Sequence, residues 1–213
     1  MRALSLFSGI GGIENAGNAR GIETVAFCEV EPYACKVLGK RFPGVPNVGD
    51  VTRFTSAPLR EFGGSPFVSW TTPEDIGYVD MVYGGFPCQD LSVAGKQKGL
   101  KDEDGKNTRS GLWYEMLRVV ETLRPAWVLA ENVRGAIHIA LDAVSAGLEN
   151  AGYEVRPYVI PASAVGAPHK RERLFVVGTR RDIAEDCLNA IRNIENDGLN
   201  IGEMIVAITD NGS

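Results

Sequence analysis

Short apolar runs alternate with helically periodic stretches over most of the chain. The runs Ala3–Phe7, Glu23–Cys28, Met81–Gly84, Trp127–Ala130, Tyr153–Ile160 and Leu174–Gly178 predict strands. Between them, about Ile13–Arg20, Pro32–Arg41, Leu112–Leu123 and Leu141–Ala151 predict helices. Strands alternating with helices imply an α/β domain, doubly wound around a mostly parallel sheet. The punctuation agrees: Pro32 suits a first helical turn, where a missing N–H costs nothing, and Gly152 stands where a helix stop belongs.

Two stretches break the pattern. Thr55–Gly77 holds Pro58, Gly63, Gly64, Pro66, Pro73 and Gly77 with little periodicity, which predicts a long loop or insertion. Ala94–Gly111 carries Lys96, Lys98, Lys101, Lys106 and Arg109 among glycines and acids and predicts a basic loop.

Composition narrows the class. Of 213 residues, 44% are hydrophobic and 23% charged, too apolar for a disordered chain. No run approaches the roughly 18 apolar residues of a membrane span, and Ala3–Phe7 is too short for a signal-peptide core. A cytoplasmic protein without a membrane partner is expected. The net charge of -5 argues against a self-sufficient nucleic-acid grip, but the charge is uneven. Residues 182–213 hold seven acids and one base, leaving 20 acids against 21 bases in residues 1–181. The acidity therefore belongs to a tail over 182–213, and residues 1–181 form a nearly neutral body with local basic clusters. Cys28, Cys35, Cys88 and Cys187 lack zinc-knuckle spacing and only His138 and His169 accompany them, so no metal site is expected.

Ligands of open α/β sheets sit beyond the carboxyl ends of the strands. There the first strand runs into Phe7-Ser8-Gly9-Ile10-Gly11-Gly12, a glycine turn opening a helix. Glu29 follows the second strand and offers a carboxylate to ribose hydroxyls; Asp50 stands where a carboxylate can meet an adenine amino group. Together these favour an adenosine ligand. The pattern is not the full glycine fingerprint of dinucleotide folds, which leaves a nicotinamide oxidoreductase as the poorer alternative.

Gly84-Gly85-Phe86-Pro87-Cys88-Gln89-Asp90 follows an apolar strand, with Pro87 stiffening the backbone before the thiol. That placement marks Cys88 as a nucleophile rather than packing. Glu131-Asn132-Val133 follows Trp127–Ala130 and sets a carboxyl at a neighbouring strand end. Arg171 and Arg173, two apart on an extended segment, are expected on one face.

These segments, with Arg171-Glu172-Arg173, Gly95-Lys96-Gln97-Lys98-Gly99 and Leu112-Trp113, resemble in order and spacing the motifs of DNA cytosine-5 methyltransferases. The resemblance covers about residues 3–180. It implies the Rossmann-like fold of S-adenosylmethionine-dependent methyltransferases, with double-stranded DNA as substrate. Cys88 would add to C6 of a flipped cytosine, and Glu131 would bind the N3 and N4 edge and supply a proton. Arg171 and Arg173 would hold the flipped base and its phosphate, with Pro87, Gln89, Ser92 and Asn132 as further substrate-binding positions. Phe7, Gly9, Gly11, Glu29, Asp50 and Leu112 would line the S-adenosylmethionine pocket, and the Gly95–Lys106 loop resembles the one that closes over DNA.

The sequence departs from the family in two places. His169 stands where the arginine motif usually has glutamine, and residues after Thr179 do not resemble a target recognition domain. Ile183–Glu195 predicts an amphipathic helix instead. Three readings account for this: a truncated product, one half of a split enzyme, or a catalytic domain whose specificity comes from a separate target-recognition subunit. In each, the chain is expected to bind S-adenosylmethionine and to methylate duplex DNA weakly or not at all by itself. A tRNA cytosine-5 methyltransferase and a non-catalytic S-adenosylmethionine-binding remnant are the alternatives.

Overall fold

The computed structural model describes residues 1–54, 76–87, 112–138 and 140–183. Six strands form one sheet among them: β1 Arg2–Leu6, β2 Glu23–Cys28, β3 Met81–Gly85, β4 Trp127–Val133, β5 Tyr153–Pro161 and β6 Glu172–Arg180, in the order β2-β1-β3-β4-β6-β5. The β1–β2, β1–β3 and β3–β4 pairs are parallel, whereas β6 runs antiparallel to both β4 and β5. Helices α1 Gly12–Asn18, α2 Pro32–Arg41, α3 Trp113–Leu123 and α4 Leu141–Asn150 fall where the periodicity places them. The mostly parallel α/β architecture is thus the one expected. No helix among the described residues is long and apolar enough to cross a membrane.

The order reverses at β1, whose neighbours are reached by chain segments leaving in opposite directions. Right-handed crossovers then put the β1-to-β2 and β3-to-β4 connections on opposite faces of the sheet. This explains why β1 does not alternate: Ala3, Leu4, Ser5 and Leu6 are all buried, as befits a strand covered on both faces. The core continues through Trp113, Met116, Val119 and Val120 of α3 and Val144 and Leu148 of α4. Gly147 lets α3 and α4 approach: a Cβ there would stand 2.9 Å from Leu117 Cδ2. Gly152, with φ 92°, turns the chain after α4 into β5.

One boundary differs in a way that matters. The periodicity ends the fourth strand at Ala130, but β4 runs on to Val133 because β6 continues the ladder through Glu131↔Phe175, Asn132↔Leu174 and Val133↔Arg173. Glu131 therefore lies within a paired strand, and its backbone is held rigidly.

Candidate active site

The candidate ligand site sits at the carboxyl ends of β1, β2 and β3, on either side of the switch point. A cavity of about 250 Å³ opens there, lined by Phe7, Cys28, Glu29, Val30, Gly49, Asp50, Val51, Gly85, Pro87 and Leu112. Its walls are apolar apart from two carboxylates, the chemistry of a ligand with a flat apolar portion and hydroxyl or amino donors.

Each wall has its own support. Phe7 leaves β1 with a left-handed φ of 55°, and its N–H donates to the Cys28 carbonyl at 2.8 Å, so the glycine turn is tied to the end of β2. Glu29 Oε2 accepts from the Gly9 N–H at 2.7 Å, and Oε1 accepts from Val30 and Glu31 at 2.8 and 2.7 Å. Three of roughly four acceptor positions on the carboxylate are thereby taken, leaving room for one more donor. Asn47 straps β2 to the next wall: its Oδ1 accepts from Glu29 and Gly49, each at 3.1 Å, and its Nδ2 donates to the Glu29 carbonyl at 3.0 Å. Asp50 caps the 3-10 turn Val51–Arg53, its Oδ1 accepting from Thr52 N at 2.9 Å and Thr52 Oγ1 at 2.8 Å.

Of the six cofactor positions read from sequence, Phe7, Glu29, Asp50 and Leu112 line this cavity. Gly9 joins it through Glu29, while Gly11 faces elsewhere: a Cβ there would meet Phe42 Cε2 at 2.5 Å, so it lets the start of α1 pack on the end of α2. Burial pushes the Cys28 thiol up to about 12, so this wall residue is an inert apolar surface.

A second candidate cluster lies one strand over. Gly85 of β3, a cavity residue, is the in-register partner of Glu131 on β4. Glu131 Oε1 accepts from Arg173 Nε at 2.9 Å. The ladder sets Arg173 opposite Val133, two positions from Glu131, and so on the same face of the sheet. Burial raises the Glu131 carboxyl above its ordinary value, and the charges of Arg173 and then Arg171 oppose that rise.

Arg171 corrects an expectation. It lies before β6 with a left-handed φ of 31°, so it does not share an extended segment with Arg173. The reason is that the β5–β6 ladder ends at Pro161↔Glu172, and the chain must turn there, with Ala162 N–H donating to the Lys170 carbonyl at 2.8 Å. The exposed Arg171 still acts on Glu131 through its charge.

Asn132 points to the opposite face and is 3% exposed. Its Nδ2 donates to the Phe86 carbonyl at 3.2 Å, and its Oδ1 accepts from Val133 N at 2.8 Å. The Phe86 ring packs on Trp113 at 5.7 Å between centroids. Together they set the course of Phe86-Pro87, the two residues before Cys88. Cys88 itself, Gln89, Ser92, the Gly95–Lys106 loop and most of the tail lie outside the described residues.

Sequence reasoning passed over Gly85, Asn47 and Gly49. A glycine pair before Pro-Cys was the available signal for Gly85; Asn47 and Gly49 gave none, because their importance comes from contacts with β2.

The profile of the C-5 cytosine-specific DNA methylase family matches residues 1–211. The chain belongs to that family. Relatives of this methylase-family chain include the type II methyltransferase M2.BsuMI of Bacillus subtilis (strain 168), 33% identical over 196 residues, which cover 88% of this chain and 44% of that protein. M.Eco47II of Escherichia coli is 35% identical over 188 residues, covering 85% and 40% respectively. M.AquIA of Picosynechococcus sp. is 35% identical over 192 residues, covering 84% of this chain and 72% of that protein. The chain thus spans less than half the length of the first two. In fold it is similar to the S. pombe Dnmt2 methyltransferase, with a TM-score of 0.62 at 20% identity over 84% of this chain and 51% of that one. Among the described residues no group of histidines, cysteines and carboxylates could hold a metal ion.

Proposed function

We propose that this chain is the catalytic part of a DNA cytosine-5 methyltransferase, with S-adenosylmethionine in the cavity and a flipped cytosine at Cys88, Glu131, Arg171 and Arg173. The observation that carries the reading is the Gly85–Glu131 pair, since one residue lines the cavity and its strand partner is a half-buried glutamate with a raised carboxyl. A methyl donor and a base bound on these two sides would meet at a single strand boundary.

The cavity suits the donor. Its apolar walls and its two carboxylates match the base and the hydroxyl or amino donors of an adenosine group, which Phe7, Glu29, Asp50 and Leu112 would hold. When bound, S-adenosylmethionine supplies an electrophilic methyl group.

The chain's own residues do the rest. The Cys88 thiolate forms a bond to C6 of cytosine, and the C5–C6 electron pair moves onto C5 as its nucleophilic centre. Glu131, its carboxyl raised by burial, holds a proton where N3 gains charge. C5 would use its electron pair to bond the methyl group, the C–S pair staying on the donor's sulfur as a thioether. The C5 proton then passes to water, and the electron pair it leaves re-forms the C5–C6 bond and expels Cys88 as thiolate. Arg173 fixes the Glu131 carboxylate through its Nε, and Arg171 adds positive charge at the open side. Pro87, Gln89, Ser92 and Asn132 remain the proposed surroundings of the base, Asn132 through the Phe86 carbonyl. The same reading includes double-stranded DNA as substrate, a target-recognition subunit as partner, and a catalytic domain over 1–181 in the cytoplasm.

The test is a covalent trap. Duplex DNA containing 5-fluorocytosine, incubated with S-adenosylmethionine and a recognition partner, should form an adduct that Cys88→Ser abolishes. Absence of an adduct under those conditions overturns the reading. Parallel label transfer to tRNA separates the substrates, since transfer to tRNA alone would reassign the activity.

A further inference from the structure

We infer that Arg118, which does not line the cavity, is a positioning residue for the cofactor. It sets the separation of two cavity walls and the attitude of Asp50. The inference rests on the proposal that the cavity takes S-adenosylmethionine.

Arg118 lies on α3, five residues after Trp113, and reaches across to the turn that bears Asp50. Its Nη1 donates to the Phe54 carbonyl at 2.5 Å and its Nη2 to the Val51 carbonyl at 2.8 Å, while Nε is held by Glu115 Oε2 at 2.9 Å. The Phe54 carbonyl follows the 3-10 turn Val51–Arg53, beyond its last backbone bond, while the Val51 carbonyl at its first residue also accepts from the Phe54 N–H at 3.1 Å, so the guanidinium bridges the two ends of the turn. Val51 and Phe54 are 4% and 1% exposed, so the side chains around these acceptors leave little room for water to replace the guanidinium. The planar fork of arginine fits two carbonyls at once; an ammonium would not.

The turn is therefore closed at both ends by different parts of the chain. Asp50 caps its start through Thr52, and Arg118 spans it from Val51 to Phe54, 67 and 64 positions away in sequence. Both Asp50 and Val51 line the cavity. Leu112, at the head of the helix that carries Arg118, lines it too. Through Arg118 the Asp50–Val51 wall and the Leu112 wall become one rigid unit. Removing the clamp leaves every lining residue in the sequence but lets the walls part.

Calorimetric titration with S-adenosylmethionine tests this on the full chain. Arg118→Met should weaken binding about tenfold or more, the scale expected of losing hydrogen bonds to a charged donor, and Arg118→Lys should fall between it and the parent chain. Leu148→Ala, a core truncation in α4, controls for general destabilisation: it should lower the melting temperature and leave the dissociation constant unchanged. If Arg118 acts through Asp50, the loss in Asp50→Ala/Arg118→Met should be smaller than the product of the single losses. Should Arg118→Met not fold, Arg118→Lys carries the same comparison. Binding within twofold of the parent by a folded Arg118 variant overturns the role of Arg118. A parent chain that fails to bind S-adenosylmethionine overturns the underlying reading instead.

Discussion

Gly85 and Glu131 face each other across the β3–β4 ladder, and the carboxylate occupies the place a side chain at 85 would need. A Cβ built on Gly85 would lie 2.7 Å from Glu131 Oε2, closer than real contacts allow. The glycine is thus a condition for the carboxyl's position, and the same residue forms part of the cavity wall.

Gly85→Ala should accordingly push the Glu131 carboxyl away from its Arg173 partner. A displacement on the order of 1 Å at a catalytic group costs about a hundredfold in rate. The rate of adduct formation on 5-fluorocytosine DNA measures it, and a rate within twofold of the parent would show that the carboxyl's position is unimportant.

Glu131 also sets a pH dependence. Its carboxyl is raised above the ordinary 4.5, mainly by burial, so the protonated form persists to higher pH than in a solvated glutamate. Proton donation should therefore be available below the raised value and decline as pH rises through it. A pH profile of single-turnover methylation should show this descending limb in the parent. Glu131→Gln should be much slower and lack the limb; retention of the same limb would assign it to another group.

A second raised carboxyl lies beneath the glycine turn. Glu14 is 1% exposed, and its Oε1 accepts from Ser5 Oγ, which in turn bonds Ser8 Oγ at 2.7 Å. Burial raises its value, with the Ser5 and Ser8 hydrogen bonds opposing. A carboxyl raised on folding contributes stability that is fully present below its unfolded value, near 4.5, and is lost as pH rises through the folded one. Glu14→Gln removes this titration. Melting temperatures measured across pH should show the variant gaining on the parent from pH 4.5 upward, and a difference independent of pH would contradict it.

Asn132 offers a stability test without a charge. Asn132→Ala leaves the Phe86 carbonyl and the Val133 N–H without their partner, in a position 3% exposed, and should cost about 1–3 kcal/mol in denaturant unfolding. It should also slow adduct formation, because the course of Phe86-Pro87 is set by that bond. A slowed reaction with unchanged stability would mean that Asn132 meets the base directly.

Thiol chemistry distinguishes the cysteines. Cys28 is pushed to about 12 by burial, so iodoacetamide at pH 8 should leave it unmodified in the folded protein, whereas denaturant should expose it. Peptide mapping reads the outcome; rapid labelling of Cys28 in the native state would mean that the cavity wall opens.

The amino-acid sequence by itself determined the elements and the chemistry they could bear. Apolar runs of strand length and helical periodicity are local properties, so the six strands and four helices were legible within a few residues. Phe7, Glu29 and Asp50 stood out as candidates because ligands of such folds gather at strand ends, and the structure brings these three to one cavity. Tertiary structure alone decided which ends meet. The antiparallel return of β6 extends β4 past Ala130, holds Glu131 inside a ladder and sets Arg173 beside it, while the turn before β6 throws Arg171 out of the extended conformation. Gly11 lets α1 pack on the end of α2, and Asn132 reaches back to Phe86, 46 positions earlier. Arg118 had no local signal, because its value lies in two carbonyls more than sixty residues away. Periodicity records which face of an element is buried. Pairing order and long-range hydrogen bonds depend on the summed packing of the whole sheet, and these are what set the cavity and the Glu131 carboxylate side by side.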